Sequence, residues 1–156
     1  MRPTVRSVFF VAVAALVALA PSACGKDNKT AEGLGTKPTV TVPSGNPPTT
    51  LQKKDLIVGK GAEATAGKKV TVQYVGVAFS TKKQFDASWD PPGRPFPFTL
   101  GAGNVIKGWD EGVPGMKVGG RRQLVIPAHL AYGDRGAGGA IAPGENLIFV
   151  CDLVSV

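Results

Sequence analysis

VIKGWDEGV, running from Val105 to Val113, places Val105, Trp109 and Val113 four residues apart, so a short helix here carries an indole between two valines on one face. Spacing alone favours burial of that face in a core. Gly108 and Gly112 interrupt the pattern, and each costs a helix about 1 kcal/mol against alanine. A helix that accepts such a cost needs close approach of something. Asn104 is the expected N-cap and Pro114-Gly115 the expected stop.

Working outward, VTVQYVGVA from Val70 to Ala78 alternates Val70, Val72 and Tyr74 with Thr71 and Gln73, the period of a strand. Leu56-Ile57-Val58, Phe96 to Leu100, Arg121 to Ile126 and LIFVCDLV from Leu147 to Val154 are further strands, and Pro97 marks the second of these as an edge or a bulge. About five strands and one short helix define an α+β domain. Pro127 to Ala131 adds a helical turn, and YGDRGAGGAIAPGEN from Tyr132 to Asn146 is a long glycine-rich loop without secondary structure of its own. Ile141 in its middle seeks cover. The 106 residues from Leu51 to Val156 suit one core.

Ahead of this domain, Arg2 and Arg6 precede an apolar run from Val8 to Ala20 and then small residues up to Cys24, the pattern of a secretory signal over residues 1–23. At 13 residues the run is short of the roughly 20 that span a bilayer as a helix. Small residues ahead of Cys24 resemble a bacterial lipoprotein cleavage box, with Pro21 where an aliphatic residue is usual. Lipidation of Cys24, and so a membrane anchor outside the cytoplasm, is the expectation beside plain secretion. Residues 24–50, rich in Pro, Gly and Thr, are predicted to be a flexible linker. Cys151 lies in an apolar strand and is expected to be a small buried hydrophobe, unpaired with Cys24.

The net charge is +7 overall, and the basic pairs Lys53-Lys54, Lys68-Lys69, Lys82-Lys83 and Arg121-Arg122 are interleaved with acidic and apolar positions. This reads as a solvated surface, with no stripe for nucleic acid. Some attraction to an anionic membrane surface remains, screened by salt. Nucleophilic catalysis has little support, because His129 is the single histidine and no serine or cysteine elbow stands near it in sequence. Asp86, Asp90, Asp110 and Glu111 do not form a calcium loop, and no metal-ligand spacing or phosphate loop is present. What remains is aromatic: Tyr74, Phe85, Phe96, Trp109, Tyr132 and Phe149 recur along separate elements and must largely converge. Phe98 reads as core. Asp86 after Phe85 and Tyr132 at the head of the loop add polar groups to an apolar concavity, the usual build of a small-molecule or peptide pocket.

These residues resemble the FKBP-type peptidyl-prolyl cis-trans isomerases. The likeness runs from about Leu56 to Val154 through GKGAEATAGKKVTVQYVG, FDAS, PFPFTLGAGNVIKGWDEGVPGMKVGGRRQLVIP, LAYG and LIFVCDLV. It implies a strongly twisted antiparallel sheet wrapped around the short helix, with a pocket for a prolyl ring between them. Trp109 is then the floor, with Tyr74, Phe85, Phe96, Val105, Ile106 and Phe149 as walls and Ile141 covering one side. Tyr132 and the backbone N–H of Ile106 donate to a substrate carbonyl, and Asp86 shapes the field at the rim. For Tyr74 and Phe149, plain core packing is an equal alternative.

The resemblance implies proline-containing peptides and unfolded exported proteins as partners, no cofactor, and macrolide inhibitors as further ligands. Ala137, Ala140 and Ala142 stand where many members carry larger residues or a proline, so the loop wall is thinner, which weighs against tight macrolide binding. Asn104 replaces a longer residue, and one extra residue lies between Asp86 and Phe96. The alternative to an isomerase is a module that holds a proline-containing partner in the same pocket with little turnover. A scaffold with a vestigial pocket gains least from a chain that keeps the main aromatics.

Overall fold

The alternation over VTVQYVGVA produces β2 (Lys69–Ala78), the strand about which the sheet is organised, in a computed structural model that describes residues 34–156. The signal at 1–23, Cys24 and the first third of the expected linker lie outside the described residues. β2 pairs along its length with β6 (Leu147–Ser155). Its other edge is shared: β3 (Gln84–Ala87) pairs with Val75 to Val77 and β4 (Phe96–Thr99) with Lys69 to Val72. Beyond β6 come β5 (Arg121–Ile126) and β1 (Gln52–Ile57), and every pairing is antiparallel. The sheet therefore has six strands, in the order β1-β5-β6-β2-β3 with β4 also on β2. The additional strand is β3, too short to show a period. β1 also differs from expectation, since it starts at Gln52, ahead of the Leu56-Ile57-Val58 run, and ends at Ile57, leaving Val58 74% exposed.

Against the inner face of the sheet lies α1 (Lys107–Gly112), shorter than the nine-residue stretch that announces it. Trp109 and Val113 join Val70, Val72, Leu124, Ile126, Leu147 and Phe149 in the main core, while Val105 is partly buried ahead of the helix. Asn104 is not the N-cap. Ile106 holds that position, with extended backbone and no side-chain cap. Asp110 instead reaches back, its carboxylate accepting from Gly101 N–H at 2.8 Å and Gly103 N–H at 3.1 Å, which folds the preceding turn onto the helix. The two glycines answer to β5: a Cβ on Gly108 would sit 2.4 Å from Ile126 Cγ2, and one on Gly112 would sit 2.8 Å from Leu124 Cδ1. They admit the sheet backbone and its side chains to the helix, so the close approach that the sequence demanded is helix on strand.

The basic pair Arg121-Arg122 is not a solvated surface. Alternation in β5 sends the two guanidiniums to opposite faces of the sheet. Arg122 is buried, pairing with Asp55 at 2.6 and 3.0 Å and donating to Gly112 O at 2.9 Å and Pro114 O at 3.0 Å, where it serves as C-terminal cap of α1. Arg121 grips the buried Asp152 of β6 at 2.6 and 2.7 Å. Beside it Cys151 is fully buried and unpaired, and burial pushes its thiol well above the ordinary 9.0, so it stays a neutral hydrophobe.

The stretch taken as linker is shorter than 24–50. Pro38 is buried, and Val40 and Val42 pack on Phe79, Val125 and Ile148, residues that alternate away from the main core onto the outer face of the sheet. The physical reason is visible in LIFVCDLV, which is apolar on both faces and so needs cover on both. The glycine-rich loop also has structure of its own, a 3-10 turn at Gly133–Arg135 and a bridge between Ala137 and Ile141, with Ile141 buried in the main core. His129 is exposed on the 3-10 turn Ala128–Leu130.

Candidate functional site

β2 turns Tyr74 inward beside Val72, and its register with β3 places Gly76 opposite Asp86. The Tyr74 hydroxyl donates to Asp86 Oδ2 at 2.6 Å. Burial first, and then this hydrogen bond, push the hydroxyl above its ordinary 10.0. The stability drawn from the protonated phenol is therefore complete below pH 10 and is lost only as the pH rises beyond it. Tyr132 is a lesser cause of the same rise. Ser88 holds the strand end. Its hydroxyl accepts from Tyr74 N–H at 2.8 Å and donates to Gln73 Oε1, while Ser88 N–H donates to Tyr74 O at 3.0 Å.

Trp109 lies at the centre of four rings. Its indole meets Tyr74 at 5.1 Å, Phe149 at 5.2 Å, Phe98 at 5.5 Å and Phe96 at 6.0 Å between centroids. Three of these contacts are edge-to-face, the orientation that the ring quadrupoles prefer. Phe85 meets Phe149 at 5.6 Å and joins the group through it. The rings differ in depth: Trp109 is 4% exposed and Phe149 equally buried, whereas Phe96 and Tyr132 are 40% and 41% exposed. Phe96 and the half-buried Tyr74 and Phe85 thus present the accessible surface of the ring group, and Phe149 and Ile141 back it from the core. Phe98 stacks on Phe96 and is core, as its position in the alternation suggests.

Two donors at this surface have no protein acceptor among the described residues. One is the Tyr132 hydroxyl. The other is the Ile106 N–H, which stands one residue ahead of α1 and outside its hydrogen-bond ladder, while the Ile106 carbonyl accepts from Trp109 N–H at 2.9 Å. The Trp109 indole N–H is also unpaired, and it is buried. A concavity of about 430 Å³ opens beside this group, walled by Gln84 to Ser88 and Asp90 to Arg94, and shares Phe85 and Asp86 with it. Among the described residues no cluster of three His, Cys, Asp or Glu side chains could hold a metal ion.

Sequence reasoning named every aromatic of this group but passed over Gly76. A Cβ there would lie 2.7 Å from Phe85 Cζ and 2.8 Å from Phe149 Cε1, so the missing side chain is what lets the two rings meet over β2. The glycine inside an otherwise β-branched strand was the available signal. The resemblance puts Asp86 at the rim. Its partner, Tyr74, could not be read from spacing, because the two belong to different strands.

Residues 60–154 match the family described as FKBP-type peptidyl-prolyl cis-trans isomerase. An FK506-binding protein of Streptomyces anulatus is 67% identical over 121 residues, which cover 77% of this chain and 97% of the relative. A probable FK506-binding protein of Corynebacterium glutamicum is 50% identical over 119 residues, 76% of this chain and 98% of the relative. Among solved structures, that of AtFKBP13 superposes with a TM-score of 0.63 at 41% identity, covering 69% of this chain and 94% of that one. With the antiparallel sheet closed over a short helix and the aromatic group between them, these matches establish that the chain belongs to the FKBP-type peptidyl-prolyl cis-trans isomerases.

Proposed function

We propose that the aromatic group receives the prolyl ring of an X–Pro bond and accelerates its rotation by desolvation and hydrogen bonding, with no nucleophile and no proton transfer. The observation that carries this reading is the aromatic floor built on Trp109, and the unspent Tyr132 hydroxyl and Ile106 N–H supply its hydrogen bonds. Rotation about a peptide bond meets a barrier of about 18–20 kcal/mol because the nitrogen lone pair is delocalised into the carbonyl. Water stabilises that charge-separated form. An apolar recess removes such stabilisation from the planar amide, while the twisted state, having lost conjugation, loses less. Tyr132 and Ile106 then hold the flanking carbonyl in place, Phe96 and Phe85 flank the ring, and Asp86, engaged by Tyr74, keeps its field fixed at the rim.

Tyr132→Phe removes one neutral hydrogen bond and is expected to lower kcat/KM for a short X–Pro peptide about tenfold. Asp86→Ala is expected to lower it as well, by releasing the Tyr74 hydroxyl. The pH profile of the parent is expected to be flat across the neutral range, since no group gains or loses a proton in the cycle. A bell-shaped profile, or full activity in Tyr132→Phe, would overturn the mechanism. Peptide binding without turnover would favour the holding module instead.

The substrates we propose are exported proteins, whose X–Pro bonds isomerise unaided in tens to hundreds of seconds. Arg2, Arg6, the apolar run Val8 to Ala20 and Cys24 support action outside the cytoplasm, with Cys24 as a lipid anchor. The mass of the mature protein is expected to begin at an acylated Cys24; an unmodified N-terminus would remove the tether. Macrolides are proposed as weaker ligands than in relatives with larger loop residues, because Ala137, Ala140 and Ala142 offer them little surface.

A further inference from the structure

One face of a sheet packed on a single helix is ordinarily wet, yet here Val75, Val77, Val125, Ile148 and Val150, all directed away from α1, are buried. The residues seated there belong to the segment Thr36 to Val42, which reads TKPTVTV. Val40 and Val42 pack on Phe79, Val125 and Ile148, and two side chains of β5 secure the backbone: Arg121 Nη2 donates to Thr36 O at 3.1 Å and Gln123 Nε2 to Thr41 O at 3.1 Å. Arg121 is itself held by Asp152, so this donor is fixed by the sheet rather than recruited from solvent. Period-two spacing of the two valines between Pro38 and Pro43 suits a chain lying flat on a sheet.

The same segment reaches the pocket loop. Lys37 Nζ meets Asp90 Oδ1 at 2.5 Å, and the other oxygen of that carboxylate accepts from Gln84 Nε2 at 2.7 Å. Gln84 precedes Phe85 and Asp86, and residues 84–94 wall the concavity beside the aromatic group. We propose that residues 36–42 are a strap integral to the isomerase domain, and that Lys37 acts through Asp90 as a positioning residue for the 84–94 segment. Only the kinetic consequence rests on the function proposed above. The strap carries the apolar cover, and the ion pair carries the coupling. Both partners of the pair are well exposed, so its effect is modest and sensitive to salt.

The test uses hydrogen exchange and proteolysis of the full chain, with the amides of Asp90, Gly93 and Arg94 as reporters because each is hydrogen-bonded within the loop. Lys37→Ala is expected to speed their exchange about two- to fivefold, with the difference vanishing in about 1 M salt and proteolysis within 36–42 unchanged. Val40→Asp with Val42→Asp is expected to open 36–42 to proteinase K and to speed the same amides about tenfold or more, because two carboxylates cannot stay on an apolar face. KM for an X–Pro peptide is expected to rise in Lys37→Ala with kcat held. Unaltered exchange in Lys37→Ala would overturn the role of Lys37, and unaltered proteolysis in the double variant would overturn the strap. A double variant that fails to fold counts for the strap, and Lys37→Ala then decides the coupling alone. Exchange and proteolysis involve no turnover, so they stand even where isomerisation fails.

Discussion

Trp109→Ala is expected to lose about 3–5 kcal/mol of stability, the range for emptying a buried large aromatic site, and to abolish most of the isomerase activity. The indole touches four rings from β2, β4 and β6, and removing it leaves Tyr74, Phe96, Phe98 and Phe149 facing a void that rigid strands cannot close. Set against a total of about 5–15 kcal/mol for a domain, such a loss puts folding itself at risk. Trp109→Phe separates stability from function. It keeps a ring on the floor and deletes a buried N–H that has no acceptor, whose burial costs about 1–3 kcal/mol. Urea unfolding is expected to show well under half the loss of the alanine variant, and peptide isomerisation is expected to be largely retained. A folded Trp109→Phe protein as inactive as Trp109→Ala would show that the apolar floor is not what the reaction uses.

Arg122→Ala is expected to cost about 3–5 kcal/mol, the same range, with no atom of the pocket removed. The partner Asp55 is 42% exposed, so its charge returns to water once the pair is broken and the ion pair itself contributes little. The loss falls on the carbonyls of Gly112 and Pro114, which end the helix and have Arg122 Nη1 as their donor at 2.9 and 3.0 Å. Each is a hydrogen bond to a charged group, about 1.5–3 kcal/mol. Arg122→Lys is expected to recover less than half, since one ammonium cannot serve a carboxylate and two carbonyls in the plane of a guanidinium fork. Equilibrium unfolding in urea checks both, and a loss below about 1 kcal/mol in Arg122→Ala would mean that water caps the helix instead.

Much of the site was legible before any coordinates. Tyr74, Phe85, Phe96, Trp109 and Phe149 could be gathered because a chain this short has one core, and rings spread along its elements have nowhere else to go. The helix is legible from Trp109 and its glycines, though not its cap: Asn104 looks right by type, but Ile106 holds the position without a side-chain cap. The seat of Val40 and Val42 on the sheet is hidden in the sequence for a related reason. Pro, Gly and Thr describe a segment that forms no structure of its own, and they say nothing of a surface that will take it in. The clue lay elsewhere, in a last strand apolar on both faces.

Periodicity and residue type, which act over a few positions, determined by themselves the strands β2, β5 and β6, the short helix and the convergence of the main aromatics, while the likeness of ordered segments along the whole domain pointed to the family. Tertiary structure alone decided which partners meet. Tyr74 finds Asp86 across two strands, Arg122 finds Asp55 at a separation of 67 residues, and Lys37 finds Asp90 at 53. These pairings depend on register and on which face of the sheet is covered, and a charge carries no record of either until the sheet has closed.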